Sequence, residues 1–153
     1  MQLISRTSAA LVTLAVVTVT AVAFARQQPA WNADRDGLVL QGYDVVAYAA
    51  DGAPVRGRHE FEYRWQNVVW RFATAAHRDE FARAPEHYAP QFGGYCAWAV
   101  SRGYTADIDP HAWRIVDGKL YLNYSKRVQR MWEHNVQDNI AKGRANWPGV
   151  LSK

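Results

Sequence analysis

Apolar positions along the chain change period several times, and each change marks an element. Phe61-Glu62-Tyr63-Arg64-Trp65 alternates apolar with polar, and Val68 to Phe72 does so through Trp70 and Arg71. Gln66-Asn67 separates the two runs. Asn tolerates the positive φ of a tight turn, so the pattern predicts a two-stranded antiparallel hairpin. A second hairpin is predicted where Trp113 to Val116 and Leu120 to Asn123 flank Asp117-Gly118-Lys119. Between them the period turns helical. Thr74 reads as the N-cap of a short helix through Arg83, ended by Pro85. Tyr95 to Arg102 is helix-compatible between glycines, and Asp107-Ile108-Asp109-Pro110 reads as a loop. Ser125 caps a final amphipathic helix in which Val128, Met131, Trp132, Val136 and Ile140 recur near helical spacing, closed by Asn146-Trp147-Pro148. Upstream, Leu38-Val39-Leu40 suggests a short strand entering a turn at Gly42-Tyr43-Asp44, with Val45 to Tyr48 a second apolar piece. The predicted class is α+β: small antiparallel hairpins packed against short helices and a C-terminal amphipathic helix.

The first residues follow a different pattern. After Arg6 the chain is uncharged and mostly Ala, Val and Leu from Ser8 to Ala25, and Ala23-Phe24-Ala25 offers small residues to a signal peptidase. Residues 1–25 are expected to be a signal peptide cleaved after Ala25, delivering a periplasmic or secreted protein. An uncleaved anchor is the competing reading, because the run approaches bilayer-spanning length. The interrupting Thr13, Thr18 and Thr20 and the Ala-x-Ala site favour cleavage, after which no transmembrane span is expected. Residues 26–37 are polar and read as a tether, and residues 38–150 as one domain.

Charge excludes one class of partner. The net charge is +4, of which Arg6 carries one, leaving about +3 on the mature chain. The signs are interspersed, as in Asp34-Arg35-Asp36 and Arg78-Asp79-Glu80, so no basic face for nucleic acid is expected. Seven Trp and eight Tyr are the compositional oddity, and they are expected in the core or as pocket walls. Tyr43, Tyr95, Trp98, Tyr104 and Trp113 are the candidates for such walls.

Cys96 is the single cysteine. In an oxidising compartment a lone thiol is buried, bonded to another molecule, or chemically used. It follows Gly93-Gly94 at the head of a helical stretch, where backbone amides lower a thiol pKa. Three readings stay open: metal ligand, reactive thiol, or a small buried hydrophobe between Tyr95 and Trp98. His77 lies three residues after the presumed cap Thr74, as a capping or solvent-facing ring or as a ligand if Cys96 folds back to that helix start. His111 sits among Asp107, Asp109 and Trp113, a mixture that suits a divalent ion or an exposed loop. No His-x-x-His, Cys-x-x-Cys, Gly-x-Ser-x-Gly, phosphate-cradling or dinucleotide spacing is present.

Gly42-Tyr43-Asp44, Trp70-Arg71-Phe72-Ala73-Thr74, Phe81, Pro85-Glu86-His87-Tyr88 and Gly93-Gly94-Tyr95-Cys96 together resemble the YHS domain family. The similarity is closest to its exported single-domain branch. That branch carries a tail read here as Ile108-Asp109-Pro110, Val116 to Tyr124 and Ala145-Asn146-Trp147-Pro148. The resemblance spans roughly residues 38–150 and implies a small α+β module of the kind found beside metal-handling proteins. Its metal association rests on cysteines in a D-P-V-C-type turn and an F-C-S-x-x-C helix start. Here Asp44-Val45-Val46-Ala47 and Phe72-Ala73-Thr74-Ala75-Ala76-His77 replace those thiolates, leaving one imidazole. The expectation is therefore an exported binding module associated with copper or zinc handling, with Cys96, His77 and His111 as candidate ligands. Thiol and imidazole donors favour Cu(I) or Zn(II). The partner is expected to be a metal ion or a small molecule, with a periplasmic protein as a further partner. The alternatives are a thiol-dependent or small-molecule enzyme using Cys96, and a structural or protein-interaction domain with Cys96 buried.

Overall fold

Two hairpins form where the alternation placed them. In the computed structural model, which describes residues 28–152, β1 (Arg58–Trp65) pairs antiparallel with β2 (Val68–Phe72). Likewise β3 (Asp109–Val116) pairs with β4 (Lys119–Asn123), and the two pairs remain separate sheets. Each turn uses the left-handed region its residues tolerate: Gln66 and Asn67 at φ 54° and 64°, Asp117 and Gly118 at φ 50° and 73°. Around the hairpins lie α1 (Ala47–Ala50), α2 (Ala75–Arg83), α3 (Pro85–Tyr88), α4 (Ala97–Ser101), α5 (Lys126–Glu133) and α6 (Val136–Asn146). The fold is α+β. Thr74 and Ser125 cap as expected, accepting from the His77 amide at 3.1 Å and the Val128 amide at 3.2 Å. Among the described residues no helix is long and apolar enough to cross a membrane. The expected signal peptide and its cleavage point lie outside the described residues.

Burial organises around β4, whose side chains alternate between two cores. Leu120 and Leu122 join Val46, Tyr48, Trp70, Phe72, Phe81 and Cys96 in one. Tyr121 joins Phe92, Tyr95, Val100, Trp132 and Ile140 in the other. Phe81 is the hub of the first, with ring centroids 4.8 Å from Trp70 and 5.2 Å from Phe72. Each fully buried aromatic or aliphatic side chain contributes about 1.5–3 kcal/mol relative to exposure.

Four sequence expectations are corrected. The C-terminal amphipathic stretch is two helices, because Asn139 Nδ2 donates to the Trp132 carbonyl at 2.8 Å and so closes α5. Met131 points outward, 41% exposed, while Trp132 and Ile140 are buried. Leu38 to Leu40 makes only isolated bridges, Leu38 with Val69 and Val39 with Ala33, before a 3-10 turn at Leu40–Gly42. The segment read as a tether packs onto the body from Gln28, whose amide donates to the Leu151 carbonyl at 2.7 Å. Trp31 accounts for this, meeting the rings of Trp65 and Trp70 at 5.5 and 5.2 Å.

The principal polar joint is Asp44, fully buried. Its Oδ1 accepts from the amides of Val46 and Ala47 at 2.9 and 3.3 Å. Its Oδ2 accepts from the Ala73 amide at 2.8 Å and from His77 Nδ1 at 2.7 Å. One carboxylate thus ties α1, the end of β2 and the start of α2. Asp44→Ala orphans four donors and is expected to cost about 3–5 kcal/mol in urea denaturation. His77→Ala, which leaves three backbone donors in place, should cost about 1–2 kcal/mol. Equal losses would mean that the imidazole, not the backbone triad, holds the joint.

Candidate functional site

Cys96 occupies the N-cap position of α4 and is 1% exposed. Its amide donates to the Ala106 carbonyl at 3.0 Å. Its Sγ accepts from the Tyr124 amide at 3.3 Å and lies 3.8 Å from Asn123 Oδ1, which also accepts from the Trp98 amide at 3.2 Å. Asn123 is itself fully buried, and its Nδ2 has no hydrogen-bond partner among the described residues. Burial pushes the Cys96 thiol up; the nearby amides of Ala99, Tyr124 and Trp98 pull it down but are outweighed. The expectation of a lowered thiol pKa is therefore corrected: α4 has only five residues, and the core around it excludes the solvent a thiolate needs.

Cys96 nevertheless lies beneath a recess. With Trp98, Tyr104, Tyr124 and Val128 it borders a cavity of about 270 Å³. Tyr104 and Tyr124 are 51% and 60% exposed, among the most exposed large apolar side chains described. The Arg102 guanidinium carbon stands 4.1 Å from the Trp98 ring centroid, a cation–π contact that fixes the indole. Of the aromatics singled out from sequence, Trp98 and Tyr104 meet here. The others do not. Tyr43 pairs with His111, Tyr95 donates its hydroxyl to the Pro29 carbonyl at 2.8 Å, and Trp113 stacks edge-on to Tyr48 at 5.2 Å. Tyr124 and Val128 were missed. A Tyr placed between the end of the apolar run, at Asn123, and the helix cap Ser125 is the available signal for Tyr124.

The imidazoles have separate surroundings. His77 is held by Asp44; since a carboxylate only accepts, Nδ1 is the donor in that bond, and Nε2 is left without a protein partner among the described residues. His111 lies in β3, not in a loop, because Asp109 already pairs with Asn123 across the hairpin. Its Nε2 is 3.4 Å from the Tyr43 hydroxyl, and Arg56 lies 4.8 Å over the same tyrosine ring. The acids expected beside it are engaged by protein donors. Asp109 accepts from the His111 amide at 2.9 Å, and Asp107 from Asn32 Nδ2 at 3.0 Å and the Ile108 amide at 2.8 Å. No hydrogen bond joins Cys96, His77 and His111 to one another. Among the described residues no group of three or more His, Cys, Asp or Glu side chains is placed to hold a metal ion.

Comparisons with protein-family models, with curated proteins and with solved structures each gave no match. The site is therefore read from its own geometry.

A raised thiol pKa makes stability depend on pH. The unfolded chain releases the thiol proton first, near the ordinary value of about 8.5, while the folded chain still holds it. The contribution is complete below that pH and is lost as pH rises. The unfolding free energy from urea melts is expected to fall as pH rises above about 8.5, by at most about 1.4 kcal/mol per pH unit, and Cys96→Ala should flatten this slope. An unfolding free energy that rises with pH there would show a thiolate stabilised by the fold.

Proposed function

We propose that this chain is an exported, YHS-like binding module that holds a small apolar or aromatic molecule in the groove over Cys96. The observation that carries the reading is the convergence of Trp98, Tyr104 and Tyr124 on one cavity, with two of these rings more than half exposed. Aromatic rings left open to water around a recess gain free energy when a flat apolar partner covers them. Cys96 supplies a soft, polarizable floor and a fixed hydrogen bond, not a nucleophile. A thiol enzyme would need a thiolate near neutral pH and a base within reach. Cys96 has a raised pKa, and its polar neighbours are Asn123 and the Tyr124 amide. The test is calorimetric titration with 2-naphthol and indole. Tyr124→Ala and Tyr104→Ala are each expected to weaken binding about threefold to tenfold, as for the loss of one aromatic contact. Unchanged affinity in both variants would sink the groove.

A second reading has its own observation. His77 is oriented by a buried carboxylate, the arrangement that fixes an imidazole for metal coordination through its other nitrogen. In this reading the module handles copper or zinc through His77 Nε2, with the remaining ligands supplied by a periplasmic partner. Soft and borderline ions suit that donor. Zinc and Cu(I) titrations should then show weak binding that His77→Gln removes and Cys96→Ala leaves intact. Binding lost in Cys96→Ala but kept in His77→Gln would transfer the site to the thiol.

A further inference from the structure

A larger cavity, of about 430 Å³, shares no lining residue with the Cys96 groove. It falls within the size range of small-ligand sites, about 300–1,000 Å³. Trp31, Trp65, Phe92 and Trp147 line it, and so do two charged side chains, Glu86 and Arg144.

Its walls are built rather than incidental. Trp31 is wedged between Trp65 and Trp70. Phe92 holds the left-handed conformation, φ 56° and ψ 39°, while only 6% exposed. A bulky residue adopts that conformation only where surrounding contacts over-determine it, and such residues cluster at ligand sites. Two close approaches supply those contacts. A Cβ on Gly93 would collide with the Ala30 carbonyl oxygen, and one on Gly143 would stand 2.5 Å from Phe92 Cζ. The second approach fixes α6 against Phe92, and Arg144 is the next residue on that helix.

The charges are uncommitted. Glu62, Asp79, Glu133 and Asp138 each hold an Arg or Lys partner. Glu86 and Arg144 enter no ion pair among the described residues, with each other or with any other side chain, although both face one cavity. An aromatic recess bearing one free anion and one free cation is complementary to a flat apolar body that carries both charges.

We infer that this cavity binds a small zwitterion with an aromatic or apolar body, of the class of aromatic amino acids and short peptides with both ends free. Arg144 receives the carboxylate, Glu86 the ammonium, and the indoles the side chains. The inference is independent of the groove over Cys96. The probe is L-phenylalanyl-L-phenylalanine, titrated calorimetrically into the full mature chain beside its N-acetylated and its C-amidated forms. The free dipeptide is expected to bind, and each blocked form to bind about threefold to tenfold more weakly. Glu86→Gln should weaken the free dipeptide and leave the acetylated form unchanged; Arg144→Gln should do the same with the amidated form. Both side chains are exposed, so neither change disturbs the core. Tyr124→Ala should have no effect. No binding of the free dipeptide, equal binding of all three forms, or loss of binding in Tyr124→Ala alone would each overturn the proposal, the last by placing the peptide over Cys96.

Discussion

The Asp44 carboxylate is the constraint on which the rest of the molecule depends. A bare carboxylate in an apolar interior costs several kcal/mol, so its burial is tolerated only while all its donors stay in place. Those donors belong to three separate stretches: the Val46 and Ala47 amides, the Ala73 amide and the His77 ring. Satisfying one side chain therefore positions the first hairpin against α2 and α1 at once. Phe81 then meets Trp70, Trp65 and Phe72, and the Trp70–Trp65 pair becomes the surface onto which Trp31 docks. The wall of the larger cavity is thus a downstream consequence of a hydrogen-bonded acid some distance along the chain.

A second polar knot repeats the logic in the other half. Asn123 Oδ1 takes the Trp98 amide, and the Cys96 sulfur takes the Tyr124 amide, so α4 is pinned to the end of β4. Because β4 is buried on both faces, this pin holds the two cores together. Several residues that chemistry would nominate, a lone thiol and an Asp–His pair among them, are engaged as joints. The unusual load of Trp and Tyr is divided between the two cores, which bury Trp70, Trp132, Tyr48 and Tyr121, and the walls of the two recesses.

The elements were legible because their signals are local. The Thr74 and Ser125 caps and both hairpin turns each need only a few adjacent residues, and the α+β class follows from them. What escaped sequence reading was set by contacts distant in the chain. The break between α5 and α6 depends on Asn139 reaching back to the Trp132 carbonyl. The polar stretch before Leu38 looks like a tether until Trp31 finds Trp65. His111 looks like a loop residue because it sits in the irregular stretch between the Asp109–Asn123 and Trp113–Leu122 pairs, and the strand there is set by Asp109 meeting Asn123, far along the chain. Cys96 was correctly placed at a helix start, yet its pKa direction was set by burial, a tertiary quantity that spacing does not contain. Of the candidate site, Trp98 and Tyr104 were readable as pocket aromatics; Tyr124 and Val128 arrive from the far side of the second hairpin.

The segment from Phe92 to Trp98 explains why one short motif dominates the chain. Phe92, Gly93 and Gly94 run through three consecutive left-handed conformations, reversing the backbone within a single turn. Gly93 lets the N-terminal segment press against it, where any side chain would collide with Ala30. The reversal leaves Phe92 facing one cavity and, four residues later, Cys96 bordering the other. A paired glycine followed by an aromatic and a cysteine reads as a reactive motif, but each residue is accounted for by geometry: glycines for the reversal, Tyr95 to anchor the Pro29 carbonyl, and Cys96 as a side chain small enough to fit beneath Trp98 and Tyr124 while accepting one amide. Within this fold the motif does its work by shape, placing two aromatic recesses on either side of one backbone turn.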